Sequence, residues 1–223
     1  MLVDPYTWHT VKITSVTTEA RDAVSIATTR PAHYEFRPGQ HCIVRVTLPD
    51  STSYIRQYSF SGIPQDSRLS FTVIRSPQGV VSNWCIDTAK PGMHIDISQP
   101  LNGPLAVDGY PDNIGLIAGG SGIAATISHV RSLRAMDHPF ALRYLSRTAT
   151  VCYRDELSAM PGEYIVYYPT DKDGRPDPQA VFAGLSECSE LLLCGSRPFV
   201  TTMSEYASQY APSATVRAEA FNL

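Results

Sequence analysis

The sequence predicts two successive domains: a six-stranded antiparallel β-barrel over residues 1–107, and an α/β doubly wound domain with a parallel sheet over residues 108–223. The first half carries short segments rich in β-branched and aromatic residues, separated by turn residues, as antiparallel strands do. The second half alternates continuous apolar runs with helical patterns, which favours a parallel sheet covered by helices. Turn residues cluster at 108–113, DGYPDN, so we place the domain boundary there.

The strands of the first half are predicted at VKITSVTTEA, AVSIATTR, HCIVRVTLP, RQYSFSG, RLSFTVIRS and HIDISQP. Six short strands at this spacing indicate a closed antiparallel barrel. One helix is expected in this half, from Ser82 to Ala89, because Pro91 and Gly92 follow it and end the pattern.

The strands of the second half are predicted at NIGLIAG, FALRYLSR, EYIVYYP and ELLLCG. Between the first two, the segment ATISHVRSLRAM places Ile127, Val130 and Leu133 at helical spacing. Further helices are expected at RDELSAM and RPFVTTMSEYASQY. Strand alternating with helix in this way predicts the doubly wound parallel sheet.

Charge and composition exclude several classes of function. A net charge of −3 and a pI near 6.0 provide no general attraction to nucleic acid or to an anionic membrane. No apolar run reaches the length of a transmembrane span, and the N-terminus lacks the apolar region of a secretion signal. The five cysteines and six histidines are scattered without metal-ligand spacing, so no metal site is expected. Such cysteines suit a reducing, cytoplasmic compartment.

A glycine-rich turn follows the first strand of the second half. Gly120, Gly122 and Ala125 match G-x-G-x-x-A between the strand NIGLIA and an amphipathic helix. Glycine at these places lets the backbone approach a pyrophosphate, which the N–H groups at the helix start attract. A tight structural turn is the alternative, but the strand-to-helix context favours a dinucleotide site.

The end of the next strand indicates which dinucleotide binds. An acid at that place accepts the ribose 2′-hydroxyl of NADH, whereas an arginine favours the 2′-phosphate of NADPH. Here the strand FALRYLSR ends in Ser146 and Arg147, Arg154 follows soon after, and no acid stands at the strand end. The sequence therefore favours NADPH, with NADH as the alternative.

The fourth strand carries polar side chains where a barrel core would need apolar ones. Arg56 offers paired donors to a phosphate, and Tyr58 points to the same side, where its ring can stack on a flat heterocycle. Ser59 offers a donor and an acceptor at the edge of that heterocycle. A bound anion, a stacked ring and an edge contact together indicate a flavin.

The chain resembles the ferredoxin-NADP reductase superfamily in five motifs that occur in the expected order. Arg56 to Ser59 match its R-x-Y-S flavin motif, and FRPGQHCIV at 36–44 is similar to the strand that precedes this motif. The other four segments are GVVSN at 79–83, LIAGGSGIAA at 116–125, LLLCGSRPF at 191–199 and EAF at 219–221. Together they extend over nearly the whole chain.

The resemblance implies roles in binding a flavin. Arg56 would hold the flavin phosphate, Tyr58 would stack on the isoalloxazine, and Ser59 would form a hydrogen bond near its N5. A second phosphate site would be formed at a helix start by Gly79, Val81 and Ser82.

The resemblance also implies roles at the nicotinamide. Gly120 and Gly122 would admit the nucleotide, and Cys194 and Gly195 would lie beside the nicotinamide C4. Phe221 would cover the other face of the flavin, and Glu219 would lie near the reacting centre. The candidate catalytic residues are Ser59, Cys194 and Glu219.

The activity implied is that of a flavin-dependent NAD(P)H reductase which passes single electrons to a protein acceptor, a ferredoxin or an iron–sulfur oxygenase component. The GVVSN segment resembles FAD-binding members, such as flavohaemoglobin reductase modules, whereas QPLNGPLAV resembles the P-x-N-x-F segment of FMN-binding oxygenase reductases. FAD is therefore expected, with FMN as the alternative. Two other functions remain open: a reductase that uses free flavin as a substrate, and a non-catalytic nucleotide-sensing subunit.

Overall fold

The structure is a computed structural model that describes residues 6–160 and 165–221. The N-terminal residues 1–5 and two residues of the predicted strand EYIVYYP, Glu163 and Tyr164, lie outside the described residues. Among the residues described, no helix is long and apolar enough to cross a membrane.

Six antiparallel strands form the first domain, in the spatial order β4-β3-β6-β1-β2-β5. The strands are β1 (Trp8–Ala20), β2 (Ala23–Thr29), β3 (His41–Thr47), β4 (Ser53–Ser59), β5 (Arg68–Ile74) and β6 (His94–Ser98). Just beyond β4, Phe60 forms an antiparallel bridge with Phe71 of β5, and the Ser61 N–H donates to the Ser70 carbonyl oxygen over 2.8 Å. These contacts join the two edge strands, so the predicted six-stranded barrel is confirmed.

The barrel helix α1 (Val80–Asp87) begins two residues earlier than the sequence predicted. Gly79 holds the N-cap position, and the Ser82 hydroxyl donates to the Gly79 carbonyl while accepting the Ser76 N–H, both over 3.1 Å. The helix therefore begins at the glycine rather than at the serine, because the serine side chain closes the preceding turn.

Five parallel strands form the second domain, in the order β11-β10-β7-β8-β9. These are β7 (Ile114–Gly119), β8 (Phe140–Ser146), β9 (Ile165–Pro169), β10 (Glu190–Ser196) and β11 (Thr215–Phe221). The helices are α2 (Ile123–Ala135), α3 (Arg154–Ser158), α4 (Pro178–Phe182) and α5 (Arg197–Tyr210). The predicted parallel α/β sheet is confirmed, whereas α4 and the edge strand β11 were not predicted.

The helices cover both faces of this sheet. Ile127 of α2 packs in one core cluster with Leu116 of β7, whereas Met203 of α5 packs in another with Ile117. Because adjacent strand residues point to opposite faces, the two clusters lie on either side of the sheet. This layering carries the glycine-rich turn between β7 and α2 to the carboxyl edge of the sheet, where parallel sheets bind ligands.

One buried histidine in this domain makes its stability depend on pH. His129 of α2 is fully buried, its Nδ1 bonds the Tyr110 hydroxyl over 2.9 Å, and burial lowers its pKa to about 3. The unfolded chain takes up a proton below about pH 6.5 while the folded chain does not, so this stability is present above that pH and is lost on acidification.

We expect the free energy of unfolding to fall by about 2 kcal/mol between pH 7 and pH 5 through His129 alone. Urea denaturation at the two pH values measures this difference. His129→Gln should reduce the pH dependence, whereas His94→Gln, at an exposed position of β6, should leave it unchanged. An equal pH dependence in wild type and His129→Gln would contradict the assignment.

Candidate functional site

A cleft of about 510 Å³ lies where the end of β4 faces the start of α1 and the end of β11. It brings together seven of the residues predicted from the sequence, which are Arg56, Tyr58, Ser59, Gly79, Ser82, Glu219 and Phe221. Five of them come from two barrel segments, at the end of β4 and the start of α1, and two come from the C-terminal strand β11. The fold therefore assembles the predicted flavin residues around one cavity.

The polar side chains of β4 are positioned by the barrel beneath them. The Tyr58 ring stacks on Phe71 of β5, with centroids 5.7 Å apart and an angle of 24° between the planes. Arg56 is exposed, whereas Ser59 is buried with 7% of its surface accessible. The Tyr58 ring thus packs on Phe71 at the wall of the cleft, while the charge of Arg56 lies at its exposed rim.

The start of α1 supplies backbone donors to the same cleft. The first amides of a helix have no acceptor within it, and the positive end of the helix dipole lies there. Val81 was also predicted here, but its side chain is buried in the barrel core and does not line the cleft. Together with Arg56, the helix start gives the cleft two features that suit a phosphate.

Strand β11 brings Glu219 into the cleft and aligns it with Cys194 of β10. Burial raises the pKa of the Glu219 carboxyl, although a hydrogen bond from the Leu105 backbone opposes the change. Oε2 of Glu219 is buried and has no hydrogen-bond partner among the described residues. Burial and the nearby Glu219 raise the pKa of the Cys194 thiol, so this side chain stays protonated.

A second cavity, a groove of about 500 Å³, runs along the carboxyl edge of the parallel sheet. Its wall includes three of the residues predicted to bind the nucleotide, Gly120, Ser146 and Arg147, and one side is apolar through Phe199 and Tyr206 of α5. Arg154 does not line it, and its guanidinium donates to the Thr148 carbonyl over 2.8 Å. Of the two predicted arginines, the structure brings only Arg147 to the groove.

The two other glycines predicted at the nucleotide site, Gly122 and Gly195, line neither cavity. Gly122 is buried, and a Cβ atom placed on it would lie 2.0 Å from the carbonyl oxygen of Cys194. A Cβ on Gly195 would lie 2.5 Å from the Phe199 ring. Gly122 therefore lets the turn lie against the backbone of Cys194, and Gly195 lets the Phe199 ring lie against β10. Cys194 itself is fully buried.

The cleft and the groove meet. Ile74 of β5 and Ser121 of the glycine-rich turn line both cavities. A flat ring held in the cleft and a nucleotide held in the groove would therefore approach each other at one place between the two domains.

Comparison with known proteins agrees with this geometry. Residues 10–104 match the family of oxidoreductase FAD-binding domains. The ferredoxin reductase component of a 3-ketosteroid-9-alpha-monooxygenase from Rhodococcus rhodochrous is 29% identical over 225 residues, which cover 94% of this chain and 64% of that protein. The structure of phthalate dioxygenase reductase is 27% identical and superposes with a TM-score of 0.80, over 96% of this chain and 68% of that one.

The chain is therefore similar to ferredoxin reductase components along both domains, and its barrel matches oxidoreductase FAD-binding domains. A ferredoxin NADP⁺ reductase from Neisseria gonorrhoeae, only 16% identical, shares the fold with a TM-score of 0.80 over 96% of this chain and 98% of that one. The chain spans about three fifths of the length of the curated relatives it matches.

Two residues that line these cavities were missed by sequence reasoning. His41 lines the cleft opposite its strand partner Ser59, its Nδ1 is buried without a partner among described residues, and burial lowers its pKa. Its only sequence signal is its place after Pro38-Gly39-Gln40 in the segment similar to the superfamily strand. Arg175 lines the groove together with Arg147, but it lies in a loop without a recognisable motif.

Proposed function

We propose that this chain is a flavin-dependent NAD(P)H reductase that passes single electrons to a protein acceptor. The observation that carries the proposal is the meeting of the cleft and the groove at Ile74 and Ser121. A reductase of this kind needs a flavin and a nicotinamide side by side, and two cavities with a shared wall provide that arrangement.

FAD is the proposed cofactor, with FMN as the alternative, and the match of residues 10–104 to FAD-binding domains supports this choice. When bound, FAD accepts a hydride from a reduced nicotinamide and can release electrons one at a time. In this proposal the Arg56 guanidinium and the first amides of α1, from Val81 and Ser82, bind the phosphates, and Gly79 leaves room for the turn before the helix. Tyr58 and Phe221 offer their rings to the flavin.

Three side chains are proposed to act near the reacting atoms. The Ser59 hydroxyl donates a hydrogen bond at the flavin edge, and the raised pKa of Glu219 lets its carboxyl hold a proton beside the same cavity. Cys194, kept as a buried thiol, and Gly195 are proposed to lie beneath the nicotinamide, behind the residues that line the groove. Gly120 and Gly122 give the nucleotide access to the backbone of the turn.

We propose domain limits of 1–107 and 108–223, which agree with the last barrel strand ending at Ser98 and β7 beginning at Ile114.

The proposed acceptor is a ferredoxin or an iron–sulfur oxygenase component. The names of two relatives support it: the ferredoxin reductase component already described and a toluate 1,2-dioxygenase electron transfer component from Pseudomonas putida, 26% identical over 84% of this chain and 59% of that protein. A cytoplasmic location is supported by five free cysteines.

The test of the cofactor is to pass the purified protein through gel filtration, denature it, and identify the released flavin by chromatography. We expect about one FAD to be released per chain. Release of FMN would transfer the cofactor assignment to FMN. A protein that loses its flavin on gel filtration but still consumes NAD(P)H with added flavin would be a free-flavin reductase. Nucleotide binding without any flavin binding would indicate a sensing subunit.

The proposed preference for NADPH over NADH depends on Arg147, with Arg175 beside it. Because Arg147 is exposed, we expect Arg147→Ala to raise the KM for NADPH about tenfold, through loss of a charge-assisted hydrogen bond, and to change the KM for NADH little. Arg175→Ala should act in the same direction.

Steady-state kinetics with both nucleotides measures this preference. Arg154→Ala is the comparison, since Arg154 was predicted to contact the nucleotide but does not line the groove. Equal effects of Arg147→Ala on NADPH and NADH would remove the ground for NADPH, and a larger effect of Arg154→Ala would move the phosphate site to that arginine.

A further inference from the structure

Tyr153 joins the nucleotide domain to the flavin barrel. It stands between the 3₁₀ turn after β8 and the start of α3, and it is buried, with 4% of its surface exposed. Its backbone adopts the left-handed conformation, with φ of 58°, which is uncommon for a residue with a bulky side chain. Such a conformation persists where surrounding contacts require it, and here it is accompanied by contacts that cross to the barrel.

The Tyr153 hydroxyl is one corner of a triangle of three hydroxyl groups. It lies 3.2 Å from Ser25 Oγ and within hydrogen-bond distance of Thr72 Oγ1, and the Ser25 and Thr72 hydroxyls lie 3.2 Å apart. Ser25 and Thr72 are directly paired on β2 and β5. The hydroxyl of one nucleotide-domain residue is therefore bonded to two strands of the barrel.

The ring of Tyr153 is held by a second set of contacts. The Arg131 guanidinium lies 4.9 Å from the ring centroid and forms hydrogen bonds of 2.7 and 2.5 Å with the Glu156 carboxylate. Arg131 of α2 also donates to the Ser61 carbonyl over 2.5 Å, and this serine follows the R-Q-Y-S-F segment directly. One cation thus orients the tyrosine and also ties α2 to the chain that carries the flavin residues.

The same helix makes a third contact across the domains. The Ser128 hydroxyl, which is fully buried, donates to the Gly62 carbonyl over 2.6 Å. Since α2 begins at the glycine-rich turn, this bond and that of Arg131 fix the nucleotide domain along one side of the interface. The Tyr153 hydroxyl fixes it at β2 and β5, so the two attachments restrict both sliding and rotation.

We propose that Tyr153 is a positioning residue that fixes the position of the nucleotide groove relative to the flavin cleft. The chain just before it lines the groove at Arg147, Thr150 and Cys152, and its hydroxyl partner Thr72 lines the cleft. A shift of the groove by a fraction of an ångström changes the separation of the two reacting rings, to which hydride transfer is steeply sensitive. The expected kinetic effect rests on the proposed reductase function, whereas the attachment of the nucleotide domain to the barrel through Tyr153 does not depend on it.

The test uses Tyr153→Phe, which keeps the ring and its contact with Arg131 but removes the hydroxyl. With flavin bound, we expect the limiting rate of anaerobic flavin reduction to fall about tenfold or more, and the dissociation constant of the nucleotide to change less than twofold. Amide hydrogen exchange in the segments 60–62 and 124–131 should become about tenfold faster, because the domain interface opens more often. This second measurement needs no turnover.

The matched control is Tyr34→Phe. Tyr34 is also 4% exposed, and its hydroxyl donates a bond of 2.6 Å to the Ser98 carbonyl, so that both partners of this bond belong to the barrel. This variant should show neither change. In a double-mutant cycle, Ser25→Ala should weaken the interface and add less than its own effect when combined with Tyr153→Phe.

Unchanged hydrogen exchange and an unchanged reduction rate in Tyr153→Phe would overturn the proposal, as would equal changes in Tyr34→Phe. A slower rate with faster exchange supports it. If wild-type flavin is not reduced at all, the reductase function fails, while the exchange comparison still decides whether Tyr153 attaches the two domains.

Discussion

Gly122→Ala is expected to destabilise the nucleotide domain by about 3 kcal/mol or more and to weaken nucleotide binding at least tenfold. A Cβ atom at this position would lie 2.0 Å from the carbonyl oxygen of Cys194 and 2.4 Å from its carbonyl carbon. Both are backbone atoms of β10, so no side chain can rotate away, and the glycine-rich turn must separate from this strand. Urea denaturation and nucleotide titration measure the two effects.

Gly120→Ala is the matched control for this prediction, because it lies two residues away in the same turn. Gly120 has a φ of 51°, and a Cβ atom there would meet no atom of residues 6–160 and 165–221 within 4 Å. Its replacement should cost only the about 1–2 kcal/mol of a left-handed conformation in a residue with a side chain. Equal stability of the two variants would show that the turn does not pack against Cys194 as described.

Ser59→Ala is expected to slow flavin reduction about tenfold or more while the flavin stays bound. The side chain is buried at the cleft wall, opposite His41 on the neighbouring strand, and the variant would lack the hydrogen bond that we propose at the flavin edge. The phosphate contacts proposed for Arg56 and the start of α1 are untouched, so affinity for the flavin should change little. Stopped-flow absorbance with excess reduced nucleotide measures the rate.

Ser53→Ala makes the same change at the exposed start of the same strand, where the hydroxyl bonds Thr47, and should leave the reduction rate unchanged. A wild-type rate in Ser59→Ala would remove Ser59 from the reacting site. Loss of flavin in that variant would instead make Ser59 a binding residue.

Local patterns were sufficient to predict most of the fold. Alternating β-branched residues predicted the barrel strands, and α5 (Arg197–Tyr210) was predicted with its observed ends. Strand β11 was not, because an edge strand exposed over Thr215, Val216 and Arg217 lacks the apolar alternation that marks a half-buried strand. Yet this strand determines that Glu219 aligns with Cys194 and that Phe221 reaches the cleft.

The sequence indicated those candidate site residues that lie together in a short motif. The R-Q-Y-S segment and the glycine-rich turn each contain their own signal, and the fold brings them to adjoining cavities. Contacts between distant segments have no such signal. In the hydroxyl triangle of Tyr153, Ser25 is separated from Thr72 by 47 positions in the sequence and from Tyr153 by 128. Arg175 lines the groove from a loop. Neither contact could be found without the tertiary structure.

The most direct test of the reductase proposal is an anaerobic visible spectrum of the purified protein, recorded before and after adding NADPH and NADH in separate samples. We expect a flavin absorption band at about 450 nm that bleaches with reduced nucleotide, and faster with NADPH than with NADH. A protein that shows no such band and takes up no added flavin, or whose flavin stays oxidised with both nucleotides, would contradict the reductase proposal.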